Sequence, residues 1–160
     1  MSEVSCLGSL FIHRKGEVTL NDILRKVKSN PRISEVGAIA CFIGVVRGVT
    51  KNGSPVEGLE IEAYEEKANE TMARICEELS QRKGIVDVQI HHNIGSFNVG
   101  DELVYVVVAG GHREQVFPVL VEAVERYKKE AELWKKEYTC NGAYWVGDER
   151  SDKNGGKKNM

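Results

Sequence analysis

Apolar residues recur along the chain at two periods, and each period predicts a kind of element. Leu20, Ile23, Leu24 and Val27 fall at helical spacing, so residues 19–29 read as an amphipathic helix opened by Thr19 and Asp22 in the manner of a capping box. Ala68, Met72, Ile75, Cys76 and Leu79 repeat that spacing in a helix over about 65–82, which Gly84 terminates. Val116, Leu120, Ala123, Val124 and Tyr127 mark a third helix running to about Lys129, with Pro118 expected in its first turn. The remaining apolar runs read as strands. Residues 9–13 form a short one, and 37–46 (GAIACFIGVV), apolar, partly β-branched and bounded by glycine, a central one that ends at Arg47. Residues 48–55 carry turn chemistry, and 56–64 alternate as a strand returning antiparallel to 37–46. Residues 85–91 and 103–109 are further strands, the second apolar enough to be covered on both faces, with 94–101 as a turn-rich link between them. A last hairpin pairs 134–139 with 143–146 through Asn141 and Gly142. Helices alternating with strands that include hairpins predict an α+β layered domain with a mainly antiparallel sheet.

Composition narrows this picture. A chain of 160 residues, 41% hydrophobic and 29% charged, supports one domain with a real core, here taken as 1–146. The polar, Gly- and Lys-rich tail 147–160 offers little to bury and is expected to stay disordered. No apolar run approaches the roughly 20 residues that cross a bilayer. Residues 1–8 lack the basic start and apolar centre of a secretory signal, so a cytoplasmic protein is expected. A net charge of −2 exerts no global pull on nucleic acid, so any anion site must be local. Cys6, Cys41, Cys76 and Cys140 are far apart and show no metal-ligand spacing, which argues against a zinc site and a disulfide framework. Cys41 and Cys76 read as small buried hydrophobes, while Cys6 and Cys140 stay unassigned.

The candidate chemistry is basic. His112 and Arg113 follow Gly110 and Gly111 where the third helix starts, and cations at a helix N-terminus are unfavourable unless an anion binds there. Free N–H groups, a glycine pair and two cations together suit a phosphate; the plainer alternative is that both side chains simply face water. Lys128 ends the helix and Lys135 begins the final strand pair, so the turn between them can bring two ammonium groups together. Such a pair lowers one pKa toward the range useful for proton transfer, although lysines also suit a helix C-terminus and an edge strand in their own right. Arg47, at the end of a strand and before a glycine loop, stands where a scaffold presents a side chain to a ligand. His13, His91 and His92 read as structural, and Trp134 and Trp145 as core or as interface anchors.

Taken together, GAIACFIGVVRG (37–48), LEIEAYEEKA (59–68), HHNIGSFNVGDELVYVVVAGGHRE (91–114), YKKEAELWKKE (127–137) and GAYWV (142–146) resemble the catalytic large subunit of molybdopterin synthase. The resemblance covers about 33–146, and F-x-G-x-V-R, H-R before a helix and W-K-K-E are specific in combination. It implies an α/β-hammerhead domain with a small extra β subdomain. It further implies a homodimer that binds, at each end, a small ubiquitin-like sulfur carrier ending in a Gly-Gly thiocarboxylate. The reaction implied is transfer of two sulfurs to cyclic pyranopterin monophosphate, opening its cyclic phosphate and forming the dithiolene of molybdopterin. No metal or resident cofactor is implied, since the sulfur arrives on the partner.

By the same resemblance Lys128 and Lys135 are the lysines of the reaction centre. Arg47, preceded by Val45 and Val46, lies near the substrate, His112 and Arg113 form an anion pocket, and Lys136 and Glu137 complete the substrate segment. The site is expected to be shared across the dimer. Val45 stands where many members carry a basic residue, and Asn93 where an arginine is common. Two other function classes compete: a non-catalytic docking module for a ubiquitin-like carrier, and a phosphate-sensing domain, the latter without a P-loop or dinucleotide fingerprint.

Overall fold

The capping box at Thr19 and Asp22 forms as its spacing predicts: the Asp22 amide donates to Thr19 Oγ1 while the Asp22 carboxylate accepts from the Thr19 amide. In the structure, a computed structural model that describes residues 10–146, this opens α1 (Leu20–Lys28). The elements run β1 (Ile12–Arg14), α1, a 3₁₀ turn (Ile33–Glu35), β2 (Ala38–Val45), β3 (Gly58–Ala63), α2 (Glu65–Ser80), β4 (Ile85–Phe97), β5 (Glu102–Gly110), α3 (Arg113–Glu130), β6 (Leu133–Thr139) and β7 (Gly142–Val146). Seven strands form one sheet in the order β2-β5-β4-β3-β6-β7, with β1 added parallel to β4 and the other pairings antiparallel. This is the α+β layered architecture predicted. None of the described helices is long and apolar enough to cross a membrane.

β5 is the strand covered on both faces, as its composition required. Val104, Val106 and Val108 face the larger core against α2 and α3, and Tyr105, Val107 and Ala109 face a smaller one beneath Ile23 and Val27 of α1. β4 is longer than the reading of 85–91 and a link. Its backbone continues through 94–97, pairing first with β5 and β1 and then, at Gly95 to Phe97, with β3. Gly95 has φ of 114°, a conformation that side chains other than glycine resist, and it lies where β4 passes from the main sheet into the β3-β6-β7 subdomain.

Four further expectations are corrected. Among the described residues the apolar run at 37–46 is an edge strand bonded to β5 alone, and it leaves Ile43 and Val45 exposed. Cys41 is exposed for the same reason, whereas Cys76 is buried as expected. The returning strand does not pair with β2, because β3 lies between β4 and β6 on the far side of β5, and only Val49 and Pro55 bridge at the base of the loop. Pro118 lies in the second turn of α3, since that helix begins at Arg113. The first predicted strand, 9–13, forms slightly later, as β1. Residues 1–9 and the tail 147–160 lie outside the described residues, and with them Cys6, Ser9 of that strand and the disorder expected of the tail.

The glycine pair before α3 does something other than approach a ligand. A Cβ on Gly110 would sit 2.5 Å from the Gly84 carbonyl oxygen, and one on Gly37 would sit 2.4 Å from that of Gly111. Gly111 N–H donates to Gly84 and Gly37 N–H to Gly110, so three backbone segments are laced together where only glycine fits.

A candidate active site on the inner face of the subdomain

β6 is the middle strand of the small subdomain, and its period of two sorts the W-K-K-E segment onto two faces. Leu133, Lys135 and Glu137 share the inner face with the buried Leu59 and Ile61 of β3, their cross-strand partners being Ala63, Ile61 and Leu59. Trp134, Lys136 and Tyr138 occupy the outer face. Lys136 Nζ stands 5.2 Å from the Trp145 ring centre and 5.6 Å from that of Tyr138, and Tyr138 Oη donates to Glu60 Oε2 at 2.5 Å. Adjacent in sequence, the two lysines point in opposite directions.

Lys135 retains exposed surface, yet enough water is excluded around its ammonium that desolvation is the largest influence holding its pKa below the ordinary lysine value. Glu137, two residues along on the same face, opposes that shift, while Lys128, Arg47 and Lys51 reinforce it. Three cations from other segments of the chain thus act on Lys135, with the Glu137 carboxylate opposing them. Lys128 comes from the last turn of α3. Arg47 is fixed by its neighbour: Val46 N–H donates to the Asp101 carbonyl and its own carbonyl accepts from Gly100 N–H, both at 2.9 Å, which clasps the end of β2 to the β4-β5 turn. Val46 itself is buried and its backbone N–H and C=O are both bonded, whereas Val45 is exposed.

Beneath the cluster lies His92, fully enclosed. Its Nδ1 lies 2.7 Å from the Asn93 carbonyl, which therefore accepts a hydrogen bond from Nδ1–H, and its ring meets Tyr127 edge-on at 5.8 Å. Burial first, and then the nearby Lys135, push the imidazole down to about 4 against the pull of the carbonyl, so it is neutral under the lysines. His92 had only a structural reading, and Lys51 none beyond its turn. A cation in the loop that leaves directly from Arg47 was the available signal for Lys51; nothing local in the sequence places His92 below Lys135.

His112 and Arg113 are not part of this cluster within one copy. They sit at the opposite end of α3, about 22 Å from Lys128 at 1.5 Å of rise per residue. Both are exposed, His112 makes no side-chain cap, and Arg113 reaches only its neighbour Glu114 at 3.5 Å.

The family model described as "MoaE protein" matches residues 14–130. The chain belongs to the MoaE family. The match begins well before Ile33, so α1 is part of the family domain. A probable molybdopterin synthase of Haloferax volcanii is 34% identical over 148 residues, 92% of this chain and 57% of that protein. The molybdopterin synthase catalytic subunit of Ralstonia nicotianae is 38% identical over 112 residues, 70% of this chain and 63% of that one. The chain therefore spans about three fifths of the length of these two relatives. Among solved structures, molybdopterin synthase from Staphylococcus aureus superposes with a TM-score of 0.75 at 31% identity, covering 86% of this chain and 96% of that one. A complex of subunits 1 and 2 of molybdopterin-converting factor from Helicobacter pylori matches at 0.68 and 20% identity over 88% and 91%, a likeness of fold.

Proposed function

We propose that this MoaE-family chain is the catalytic subunit of a molybdopterin synthase, moving sulfur from a thiocarboxylated small carrier to cyclic pyranopterin monophosphate. The observation that carries this reading is Lys135 on the inner face of β6, held below its ordinary pKa first by desolvation and then by the charges of Lys128, Arg47 and Lys51. A phosphate-bearing substrate needs fixed cations, and a thiocarboxylate is already an anionic nucleophile that needs no thiol from the enzyme. As its sulfur bonds to a pterin carbon and a C–O bond of the cyclic phosphate breaks, charge develops on the phosphate oxygens. Water then cleaves the carrier's acyl–sulfur bond to leave the sulfur on the pterin and a carboxylate on the carrier; Lys128, Arg47 and Glu137 orient the substrate about Lys135. An amine held below its ordinary pKa is the better proton donor to such an oxygen. Exposed Trp134 and Trp145 on the outer face suit the anchors of a protein partner, which in this reading is the carrier.

The reading also takes two copies as the working unit, with His112 and Arg113 supplied to each site by the other copy. β2 is an open edge with exposed Ile43 and Val45, and its Gly37 end is laced to Gly110 just before His112. Antiparallel pairing of two β2 strands about a two-fold axis would carry that end of one copy alongside Arg47 of the other. The direct test is to mix the purified protein with thiocarboxylated carrier and the cyclic pterin and assay for dithiolene product. Product formation that disappears in Lys135→Ala, with carrier binding retained, supports catalysis. Carrier binding without turnover by the wild-type protein would leave the docking module.

A further inference from the structure

The loop between Arg47 and β3 is a built arm, and we infer that Lys51 at its tip is a substrate-positioning residue that grips the anionic group of the pterin substrate. This rests on the sulfur-transfer reading above and adds to the site a residue from a segment outside the recognised motifs. The loop is a short two-stranded ribbon: Val56 N–H donates to the Gly48 carbonyl at 3.0 Å, Val49 pairs with Pro55, and Thr50 N–H donates to the Ser54 carbonyl at 2.8 Å. A tight turn closes it, with Gly53 N–H donating to the Thr50 carbonyl at 3.0 Å and Ser54 N–H to Thr50 Oγ1 at 3.1 Å. Lys51 occupies the first corner of that turn, where a side chain projects away from the backbone. The root of the ribbon is held close to the body, since a Cβ on Gly48 would come within 3.2 Å of Val99.

Placement and charge give the ribbon its use. It leaves from Arg47 and returns into β3, whose Ile61 is the cross-strand partner of Lys135. Lys51 is exposed at its tip, and its charge is felt at Lys135 together with those of Lys128 and Arg47. A fourth cation brought to three others is repulsive in the empty site and favourable once a multiply charged anion lies between them. Lys135 and Lys128 belong to a strand and a helix, whereas Lys51 rides on a ribbon, and the effect of its charge is the smallest of those that act on Lys135. It therefore suits binding the phosphate end of the substrate rather than holding the reacting atoms, and the same contact is made before and during reaction.

Steady-state kinetics with thiocarboxylated carrier and cyclic pyranopterin monophosphate test this. For Lys51→Ala and Lys51→Gln the KM for the pterin should rise about tenfold with kcat within about twofold, the pattern of lost uniform binding. Lys51→Arg should restore most of the affinity, and inorganic phosphate should inhibit the Ala variant more weakly than wild type. Melting temperature should be unchanged, because the side chain is exposed at a loop tip. An unchanged KM in Lys51→Ala, or a loss confined to kcat, overturns the assignment while leaving sulfur transfer standing. Full turnover by Lys135→Ala would instead overturn the underlying reading.

Discussion

The two ends of α3 carry the same kind of charge in opposite states. At its C-terminal end, Lys128 joins Arg47 and Lys51 as charges that act on the partly dehydrated Lys135 and help hold its pKa down. At its N-terminal end, His112 and Arg113 stand in water, engaged only by Glu114 of the same turn. The first is organised by the fold of one chain. The second is organised chiefly in its backbone, through the glycine lacing of Gly37, Gly84, Gly110 and Gly111, and among the described residues its side chains show no partner beyond Glu114. Preorganised charge is where catalytic electrostatics resides, and exposed charge gains comparable strength only when another surface covers it.

The largest effect expected from breaking this contrast is at the organised end. Lys135→Ala should lower the rate of sulfur transfer by about a hundredfold or more, and Lys128→Ala by at least about tenfold, or roughly 1.4 kcal/mol of transition-state stabilisation. Single-turnover assays read both, and wild-type rates from both variants would overturn the assignment of roles. The exposed end sharpens the comparison by complementation. Arg113→Ala and Lys135→Ala should each be impaired alone, yet an equal mixture of refolded subunits should recover up to about one quarter of wild-type activity, because half the dimers would then hold one intact shared site. Recovery no greater than the sum of the separate variants would mean that the two ends never meet.

A smaller effect concerns two buried imidazoles of β4, His92 beneath the cluster and His91 on the opposite face of the strand. Burial lowers His92 to about 4 and His91 to about 3, against about 6.5 in an unfolded chain. His91 is further tied by its Nδ1 to His13 Nε2 at 2.8 Å and by its Nε2 to Gln89 Oε1 at 3.0 Å. Both pKa values being depressed, the folded state keeps these rings neutral while the unfolded chain takes up protons. Their contribution is therefore complete above about pH 6.5 and is lost as pH falls toward 4 and then 3. The melting temperature should drop between pH 7.5 and 5, and less so in His91→Gln; a flat profile would refute the buried neutral pair. The smallest effect is predicted for Lys136→Ala on the outer face. It should cost stability only about 0.5–1 kcal/mol, from lost stacking on Trp145 and Tyr138, and change single-turnover sulfur transfer less than about twofold. A loss matching that of Lys135→Ala would erase the distinction between the two faces of β6.

Local pattern alone was enough for the helices, the capping box at Thr19 and Asp22, the buried β5, the last hairpin and the set of basic residues, because helical period, capping and turn chemistry are written in neighbouring positions. The alternation that parts Lys135 from Lys136 was also present there, and reading W-K-K-E as one segment passed over it. Only the tertiary structure decided that β2 is an edge, that β3 lies beyond β4 rather than beside β2, and that Lys51 and His92 meet Lys135 while Arg113 does not. An apolar run records how much surface must leave water, not which neighbour will cover it, and strand partners and charge clusters are chosen by segments far apart in sequence.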